Sequence, residues 1–168
     1  DEPGTRWNPL LIEGPDGVGK SHLLWACGLQ MARQDPRKTV RLLSNAQLSD
    51  DKPMGWEKTI VSTSKILVDD LQERFDDPEA MQSIGEVVDY AINAGTQIVI
   101  SSNNLDLSTI TPNRLTQVLD GSRVATLRLP GLASRMTFLR ERAAVRRLLL
   151  DDSRLAAIEQ ESQRGWRS

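Results

Sequence analysis

The sequence predicts an α/β fold in which helices cover both faces of a parallel sheet. Two features of the 168 residues lead to this prediction. Short runs rich in Val, Ile and Leu alternate with longer segments of helical period, as in folds built from strand–helix–strand units. The runs are also apolar without interruption, which is typical of strands buried on both faces. The length suits one domain with a substantial core.

Five strands are predicted in chain order, each from a short apolar run between turn residues. They cover residues 9–14, 39–44, 65–70, 96–102 and 124–129. Three helices are predicted between them, because apolar residues recur there every three to four positions. These helices are Lys20–Arg33, Pro78–Asn93 and Thr111–Leu119.

The segment after residue 130 is helical in character and rich in arginine. One face of its first helix is predicted to be buried, because four apolar residues are spaced three or four positions apart. That face consists of Leu132, Met136, Leu139 and Ala143. A last helix is predicted to end near Glu161, since Asp and Ser side chains before it can cap the free N–H groups of its first turn. The capping region is Asp151, Asp152 and Ser153.

Composition excludes several classes of protein. The 21 Lys and Arg nearly balance the 23 Asp and Glu, so no global basic field points to nucleic acid, and any DNA contact would have to be local. The single cysteine, Cys27, excludes a disulfide framework and is expected to be a small apolar residue on a helix. The chain has no apolar run long enough to span a bilayer, and it begins with polar and acidic residues. A soluble, cytoplasmic protein without a membrane contact is therefore expected.

The segment GPDGVGKS matches the phosphate-binding pattern G-x-x-x-x-G-K-S and lies between a predicted strand and a predicted helix. Gly17 and Gly19 let the backbone turn its N–H groups toward phosphate oxygens, and the helix dipole adds to their attraction. Lys20 is expected to reach the β- and γ-phosphates, while Ser21 offers a hydroxyl to Mg²⁺. The alternative is a glycine turn that merely caps a helix.

Asp69 and Asp70 follow the apolar run of the third strand, at the edge of the sheet where ligands bind in such folds. Asp69 is predicted to hold Mg²⁺ directly or through water, and Asp70 to orient or deprotonate the water that attacks the γ-phosphate. The alternative is that the two carboxylates only cap the next turn. The fourth strand also ends in polar residues, of which Asn103 is predicted to contact the γ-phosphate or the attacking water. By itself, a strand that ends in Asn is more often a turn.

These motifs together resemble the AAA+ ATPases, and within them the branch of the bacterial replication initiator DnaA with its relatives Hda and the DnaC-type helicase loaders. WNPLLIEGPDGVGKSHLL is similar to the family's first strand, P-loop and the His-Leu-Leu that follows it. ILVDDLQ is similar to its Asp-Asp Walker B strand followed by Gln. TQIVISSN is similar to the sensor 1 strand, with Asn103 where DnaA usually has Asp. NRLTQVLDGSRVATLRLPGLASRMTFLRERA is similar to the arginine-finger box and the helix after the last core strand. The similarity extends over most of residues 7–144.

The resemblance implies a three-layer α/β/α P-loop NTPase with a five-stranded parallel sheet in the order 5-1-4-3-2 and the start of a helical lid. Residues 1–131 would form the nucleotide-binding core, and residues 132–168 its C-terminal helix and part of the lid. The implied cofactors are ATP or ADP and Mg²⁺. Residues implied in cofactor binding are Gly14, Pro15, Asp16, Gly17, Val18, Gly19, Lys20, Ser21 and His22. Implied catalytic residues are Lys20, Asp70 and Asn103, and implied metal ligands are Ser21 and Asp69.

The family's arginines are matched incompletely. Arg114 matches the first of two arginines in the finger box, but Val118 stands at the second, which is the usual trans-acting finger. Arg123 is a candidate substitute, although it fits a solvated surface residue equally well. Arg167 is the candidate sensor 2 arginine, with Arg164 in reserve, and its alternative is an exposed terminal side chain. The resemblance also implies a fragment or an incompletely ordered chain, because the family's adenine-contacting segment and helix-turn-helix domain are not matched.

Three functions remain open at this point. The first is an ATP-dependent switch in the initiation of chromosomal replication or its regulation, with slow hydrolysis because a trans arginine is missing. The second is a helicase-loader or Hda-like accessory ATPase that acts on a protein partner. The third is an adaptor that binds nucleotide without significant hydrolysis. Expected partners are ATP and either a second copy of the chain or another replication protein. Direct DNA contact is not predicted, because the polar segment 46–59 has no basic surface interleaved with aromatic residues.

Overall fold

The computed structural model describes residues 7–34, 36–44, 47–48, 54–103, 106–107 and 112–161. The described strands are β1 (Leu10–Glu13), β2 (Val40–Leu43), β3 (Lys65–Val68), β4 (Gln97–Ser102) and β5 (Arg123–Thr126). The described α-helices are α1 (Lys20–Gln34), α2 (Trp56–Val61), α3 (Pro78–Asn93), α4 (Arg114–Asp120), α5 (Leu132–Val145) and α6 (Asp152–Glu161). A 3₁₀ helix covers Leu71–Arg74. No helix in these ranges combines the length and the apolar character needed to cross a bilayer.

The five strands form one parallel sheet in the order β2-β3-β4-β1-β5. This is the predicted order 5-1-4-3-2 read in the opposite direction across the sheet, so the predicted α/β architecture is confirmed. Glu13 at the end of β1 lies beside Ser102 at the end of β4, and Val68 at the end of β3 lies beside Ile100. The last residues of β1, β3 and β4 therefore meet at one edge of the sheet, here called the carboxyl edge.

The side chain of Asn8 anchors the start of β1, at the opposite edge. Its amide nitrogen donates to the carbonyl of Thr96 at 2.7 Å, and its oxygen accepts the backbone N–H of Ile98 at 2.9 Å. On the other side of the strand, the carbonyl of Pro9 accepts the backbone N–H of Arg123 at 3.2 Å. These bonds hold β1 between β4 and β5.

One face of the sheet and helix α3 enclose the main core. The sheet contributes apolar side chains of β1, β3 and β4 that are almost fully buried: Leu11, Ile66, Val68, Ile98 and Ile100. Helix α3 presents Met81, Ile84, Val87, Val88 and Ala91 to them. Helices α3 and α4 come very close at Gly85, where an added Cβ would lie 2.4 Å from the backbone nitrogen of Leu115. Continuous burial along β3 agrees with the predicted burial on both faces. The prediction is wrong for β2 and β5, which lie at the two ends of the strand order and are partly or largely exposed.

The predicted helix Pro78–Asn93 is confirmed with the same bounds. Helix α4 begins only at Arg114, because Asn113 and Thr116 form a capping box. The Asn113 side chain accepts the N–H of Thr116 at 3.0 Å, and the Thr116 hydroxyl accepts the N–H of Asn113 at 2.9 Å. Helix α2 was not predicted, since it has six residues and only Ile60 among them is fully buried.

The described residues divide into two compact units when they are grouped by the distances between their Cα atoms. One contains the described positions up to Gly14 and those from Lys20 to Thr126, and the other contains Pro15–Gly19 and the described positions after Thr126.

In the second unit, the guanidinium of Arg135 on α5 binds the buried Glu159 carboxylate of α6, with Nε 2.7 Å and Nη2 2.5 Å from the same oxygen. The predicted buried face of α5 is wrong at Leu132, which is 58% exposed, whereas Ala143 is buried. The predicted cap of the last helix is confirmed, since the Asp151 carboxylate accepts the N–H of Arg154 at 2.9 Å.

Candidate functional site

The glycine-rich turn leads from β1 into helix α1. Gly17 has φ 76° and Gly19 has φ 101°, a left-handed region that glycine enters without strain. The N–H of Val18 points to the carbonyl of Pro15 at 3.4 Å. Helix α1 starts at Lys20 and runs for 15 residues, so its first free N–H groups directly follow the turn. A turn of this kind at a helix N-terminus suits an anion such as phosphate.

Three further predicted binding positions lie at the start of this segment. Gly14 is buried, whereas Pro15 and Asp16 are exposed at the beginning of the turn. In the first turn of α1, Ser21 is half-buried and His22 is exposed.

Lys20 is buried, with 4% of its surface exposed. Its ammonium donates to the side-chain oxygen of Asn103 at 2.6 Å. A buried ammonium requires hydrogen-bond acceptors, because burial removes its water. Two residues predicted separately for the phosphate site, 83 positions apart in the chain, are thus in direct contact.

The two carboxylates at the end of β3 are half-buried at the carboxyl edge. The first of them, Asp69, accepts a hydrogen bond from the hydroxyl of Ser101. The same hydroxyl accepts the backbone N–H of Asp70 at 2.9 Å. Ser101 is fully buried in β4. Its hydroxyl both donates and accepts, so it fixes the Asp69 carboxylate and the chain that leaves the strand.

The Asp70 carboxylate accepts a hydrogen bond from the side-chain amide of Gln72 at 3.0 Å. The amide oxygen of Gln72 accepts the backbone N–H of Asn103, also at 3.0 Å. Asp70 itself is in the left-handed region, with φ 52° and ψ 50°, which Asp tolerates better than most residues. This conformation turns the chain into the 3₁₀ helix and brings Gln72 back beside Asp70.

Ser101 and Gln72 contact the candidate site residues, although no role was predicted for them from the sequence. A signal for Ser101 exists, because it lies two positions before Asn103 and therefore on the same face of the strand. For Gln72, the sequence offers only its place in ILVDDLQ, where the resembled family also has a Gln after the two aspartates. Its contact with Asp70 depends on a left-handed backbone at a residue that is not glycine.

The arginines predicted as fingers lie in different parts of the fold. Arg114, at the start of α4, forms an ion pair with Asp89 of α3 at 2.7 Å. Val118 is partly buried against the core. Arg123 is exposed beside Leu10, at the edge of the sheet opposite the carboxyl edge. A finger role for Arg114 or Arg123 stays a prediction. Arg167 and Arg164 lie outside the described residues.

The chemical groups at the glycine-rich turn and the carboxyl edge fit a nucleoside triphosphate with Mg²⁺. The buried ammonium of Lys20 supplies positive charge, and the Asp69 carboxylate with the Ser21 hydroxyl supplies hard oxygen ligands. Mg²⁺ usually takes one or two protein ligands of this type and completes its shell with phosphate oxygens and water. Asp70 and Asn103 add an acceptor and an amide at the same edge, where an attacking water would need both.

Comparison with known proteins gives one family match. The model of the Bacterial DnaA ATPase domain family matches residues 1–123. The chain is also similar to the chromosomal replication initiator protein DnaA of Mycobacteroides abscessus, with 29% identity over 177 residues. That alignment covers 99% of this chain and 36% of the relative, so the chain spans about a third of that protein's length.

Solved structures share the fold. Domain III of the Thermotoga maritima replication initiation protein DnaA superimposes with a TM-score of 0.83 at 22% identity, covering 99% of this chain and 73% of that one. The AMPPCP-bound DnaA of Aquifex aeolicus gives 0.74 at 19% identity over 92% of this chain and 51% of its own. The DnaC helicase loader gives 0.60 at 16% identity over 76% and 82%. All three likenesses concern the architecture alone.

Proposed function

The chain belongs to the family of bacterial DnaA ATPase domains, and from this premise we propose that it binds ATP with Mg²⁺ and hydrolyses it slowly. The observation that carries the proposal is the buried Lys20, whose ammonium lies 2.6 Å from the Asn103 oxygen. A lysine at this position of the motif binds the β- and γ-phosphates of a nucleotide. Bound ATP would supply the γ-phosphoryl group, and Mg²⁺ would neutralise charge on its oxygens.

In this proposal, the turn Gly14–Gly19 surrounds the phosphates, and its residues other than Pro15, which has no N–H, hold phosphate oxygens through backbone N–H groups. Lys20 balances the charge of these oxygens. Ser21 and Asp69 hold the metal ion, and His22 lies at the margin of the site. Asp70 orients the attacking water and accepts its proton, while Asn103 fixes the water or the γ-phosphate with its amide. Arg167, the candidate sensor 2 arginine of the lid, is proposed to contact the bound nucleotide. We divide the chain into a nucleotide-binding core, residues 1–131, and a C-terminal helix with part of a lid, residues 132–168.

Slow hydrolysis follows from the arginines. Catalysis in P-loop proteins consists mainly of positioning and charge stabilisation, and a trans-acting arginine contributes a large share of the latter. Val118 cannot provide that charge, and the Arg114 guanidinium is paired with Asp89 within the same chain. The bound nucleotide would then act as a switch for assembly with a second copy of the chain or another replication protein. The proposed setting is the cytoplasm, in the initiation of chromosomal replication or its regulation, without direct DNA contact by this domain.

A helicase-loader or Hda-like accessory role is the second candidate. The shared fold with the DnaC helicase loader favours keeping it. The switch is proposed to assemble with further copies of the chain, whereas the accessory ATPase is proposed to act on another replication protein. Size measurement with ATP and with ADP separates them, because ATP-specific self-association favours the switch, whereas an unchanged monomer that binds another replication protein favours the accessory role.

Nucleotide binding and single-turnover hydrolysis test the core of the proposal. Lys20→Ala should abolish ATP binding, whereas Lys58→Ala, at an exposed position on α2, should leave it unchanged. Asp70→Asn keeps an acceptor for the Gln72 amide and removes the carboxylate, so it should retain binding and reduce single-turnover hydrolysis by about 100-fold or more. Asp120→Asn, exposed at the end of α4, is its control. Equal single-turnover rates for the wild type and Asp70→Asn would refute the catalytic role of Asp70 and favour the adaptor that binds nucleotide without significant hydrolysis.

A further inference from the structure

We propose that Gln72 is a positioning residue that links the phosphate-facing pair Lys20 and Asn103 to the carboxylate of Asp70. The inference rests on the proposed function, since it concerns the same phosphate site. Gln72 itself is not expected to touch phosphate, metal or the attacking water. It acts by holding the group that does.

Three consecutive hydrogen bonds form the link. The Lys20 ammonium donates to the Asn103 side chain at 2.6 Å, and the Asn103 backbone N–H donates to the Gln72 oxygen at 3.0 Å. The Gln72 amide nitrogen then donates to the Asp70 carboxylate at 3.0 Å. A primary amide is suited to this place because it carries a donor and an acceptor on one rigid plane.

The two carboxylates have separate supports. The Ser101 hydroxyl binds Asp69, the proposed metal ligand, whereas the Gln72 amide binds Asp70, the proposed partner of the attacking water. A change at Gln72 therefore acts on the water-activating carboxylate and leaves the Ser101 support of the metal ligand in place. Nucleotide affinity and hydrolysis rate should respond differently to such a change.

The local backbone explains why a side chain of this length is needed. Asp70 is in the left-handed region, and the 3₁₀ helix starts directly after it. The resulting turn places Gln72 between the end of β3 and the residue that follows β4. Its amide therefore joins the ends of two adjacent strands beyond the point where their ladder stops. Phosphate that engages Lys20 and Asn103 would shift the Asn103 backbone, and Gln72 would transmit that shift to Asp70.

Two substitutions separate the two bonds of Gln72. Gln72→Glu keeps an acceptor for the Asn103 N–H but loses the donor to Asp70, whereas Gln72→Met has a similar length and loses both. Gln30→Met, at an exposed position on α1, is the matched control. Three quantities are measured in each protein: the Kd for a non-hydrolysable ATP analogue, the single-turnover rate with ATP, and hydrogen exchange at the Asn103 amide without nucleotide.

Both Gln72 variants should lose about 10- to 100-fold in single-turnover rate, as expected for a slightly misplaced catalytic group, with a Kd within about 3-fold of wild type. Exchange at Asn103 should stay slow in Gln72→Glu and accelerate in Gln72→Met. A merely structural role would instead lower the rate and the affinity and accelerate exchange at Asn103 together in both variants, and that pattern overturns the proposal. A wild-type rate in either variant overturns it as well.

Failure of the proposed function gives a different result. A wild-type domain that binds no ATP analogue refutes nucleotide binding and the role of Gln72 together. A wild-type domain that binds ATP without hydrolysing it removes the reaction that Gln72 would serve, and so overturns this inference while nucleotide binding stands. Wild-type binding and hydrolysis with unaffected variants refute the inference alone.

Discussion

Replacing Gly85 with alanine should force helices α3 and α4 apart and destabilise the domain by about 2 kcal/mol. The added Cβ would lie 2.4 Å from the Leu115 nitrogen and 2.9 Å from the Leu115 Cα, whereas ordinary contacts begin at 3.4 Å. A separation of about 1 Å is therefore needed, and the obstructing atoms are backbone. Overpacking of this kind costs about 1–3 kcal/mol, and a rigid obstacle places it near the upper end. Alanine recovers up to about 1 kcal/mol of helix propensity.

The prediction is checked by urea and thermal unfolding of the wild type and the variant. A loss of about 2 kcal/mol corresponds to a decrease in Tm of about 4–8 °C for a domain of this size. Gly121→Ala is the control, because its Cβ would meet only the Val118 carbonyl, at 3.7 Å, and its stability should stay within about 0.5 kcal/mol of wild type. A Gly85→Ala variant as stable as the control would show that the two helices are not held in this close contact.

Two further predictions concern the C-terminal unit. Hydrogen bonds from the Ser153 hydroxyl and the Arg154 N–H lower the pKa of Asp151 below its ordinary value of 3.8, so its contribution to the start of α6 is present above about pH 4 and is lost as the pH falls through the lowered pKa. Ser153→Ala should raise that pKa in an NMR titration, and an unchanged value would contradict the assignment. Arg135→Met should destabilise the unit by about 3 kcal/mol, because Glu159 is left buried without the guanidinium. Adding Glu159→Leu should restore most of the loss in urea unfolding, and no recovery would exclude the buried charge as the cause.

Much of the fold was predictable because its signals are local. The start of α3 follows from Asp77 and Pro78, since the Asp77 carboxylate accepts the N–H of Ala80 at 3.0 Å and proline suits the first helical position. The central strands β1, β3 and β4 follow from their apolar runs. Helix α2 was missed because a helix of six residues is too short to establish a period, and the spacing that includes Leu132 described a face that is only partly buried.

The sequence predicted which residues form the candidate site, but it did not predict the hydrogen bonds that connect them. The motif and the strand ends identify Lys20, Asp69 and Asn103 separately, and the order of strands then brings them to one edge. The contacts of Gln72 depend on the left-handed backbone conformation of Asp70. The residue types in this segment do not predict that conformation. Likewise, the double role of the Ser101 hydroxyl depends on the register between β3 and β4. Such bonds are properties of the assembled sheet.

The position of β1 between β4 and β5 has a consequence for the order of folding. The strand that carries the phosphate-binding turn comes first in the chain, but its two neighbours are the last strands of the sheet, more than 80 residues later. Contacts of such long range form slowly, because a large loop must close before they stabilise the chain. During synthesis, Lys20 would therefore emerge well before Asn103, its partner directly after β4, and the contact between them would have to wait for the intervening strands and helices. The strand that leads into the proposed nucleotide site is thus translated before both of its neighbours in the sheet, and the site cannot be completed until β4 has been made.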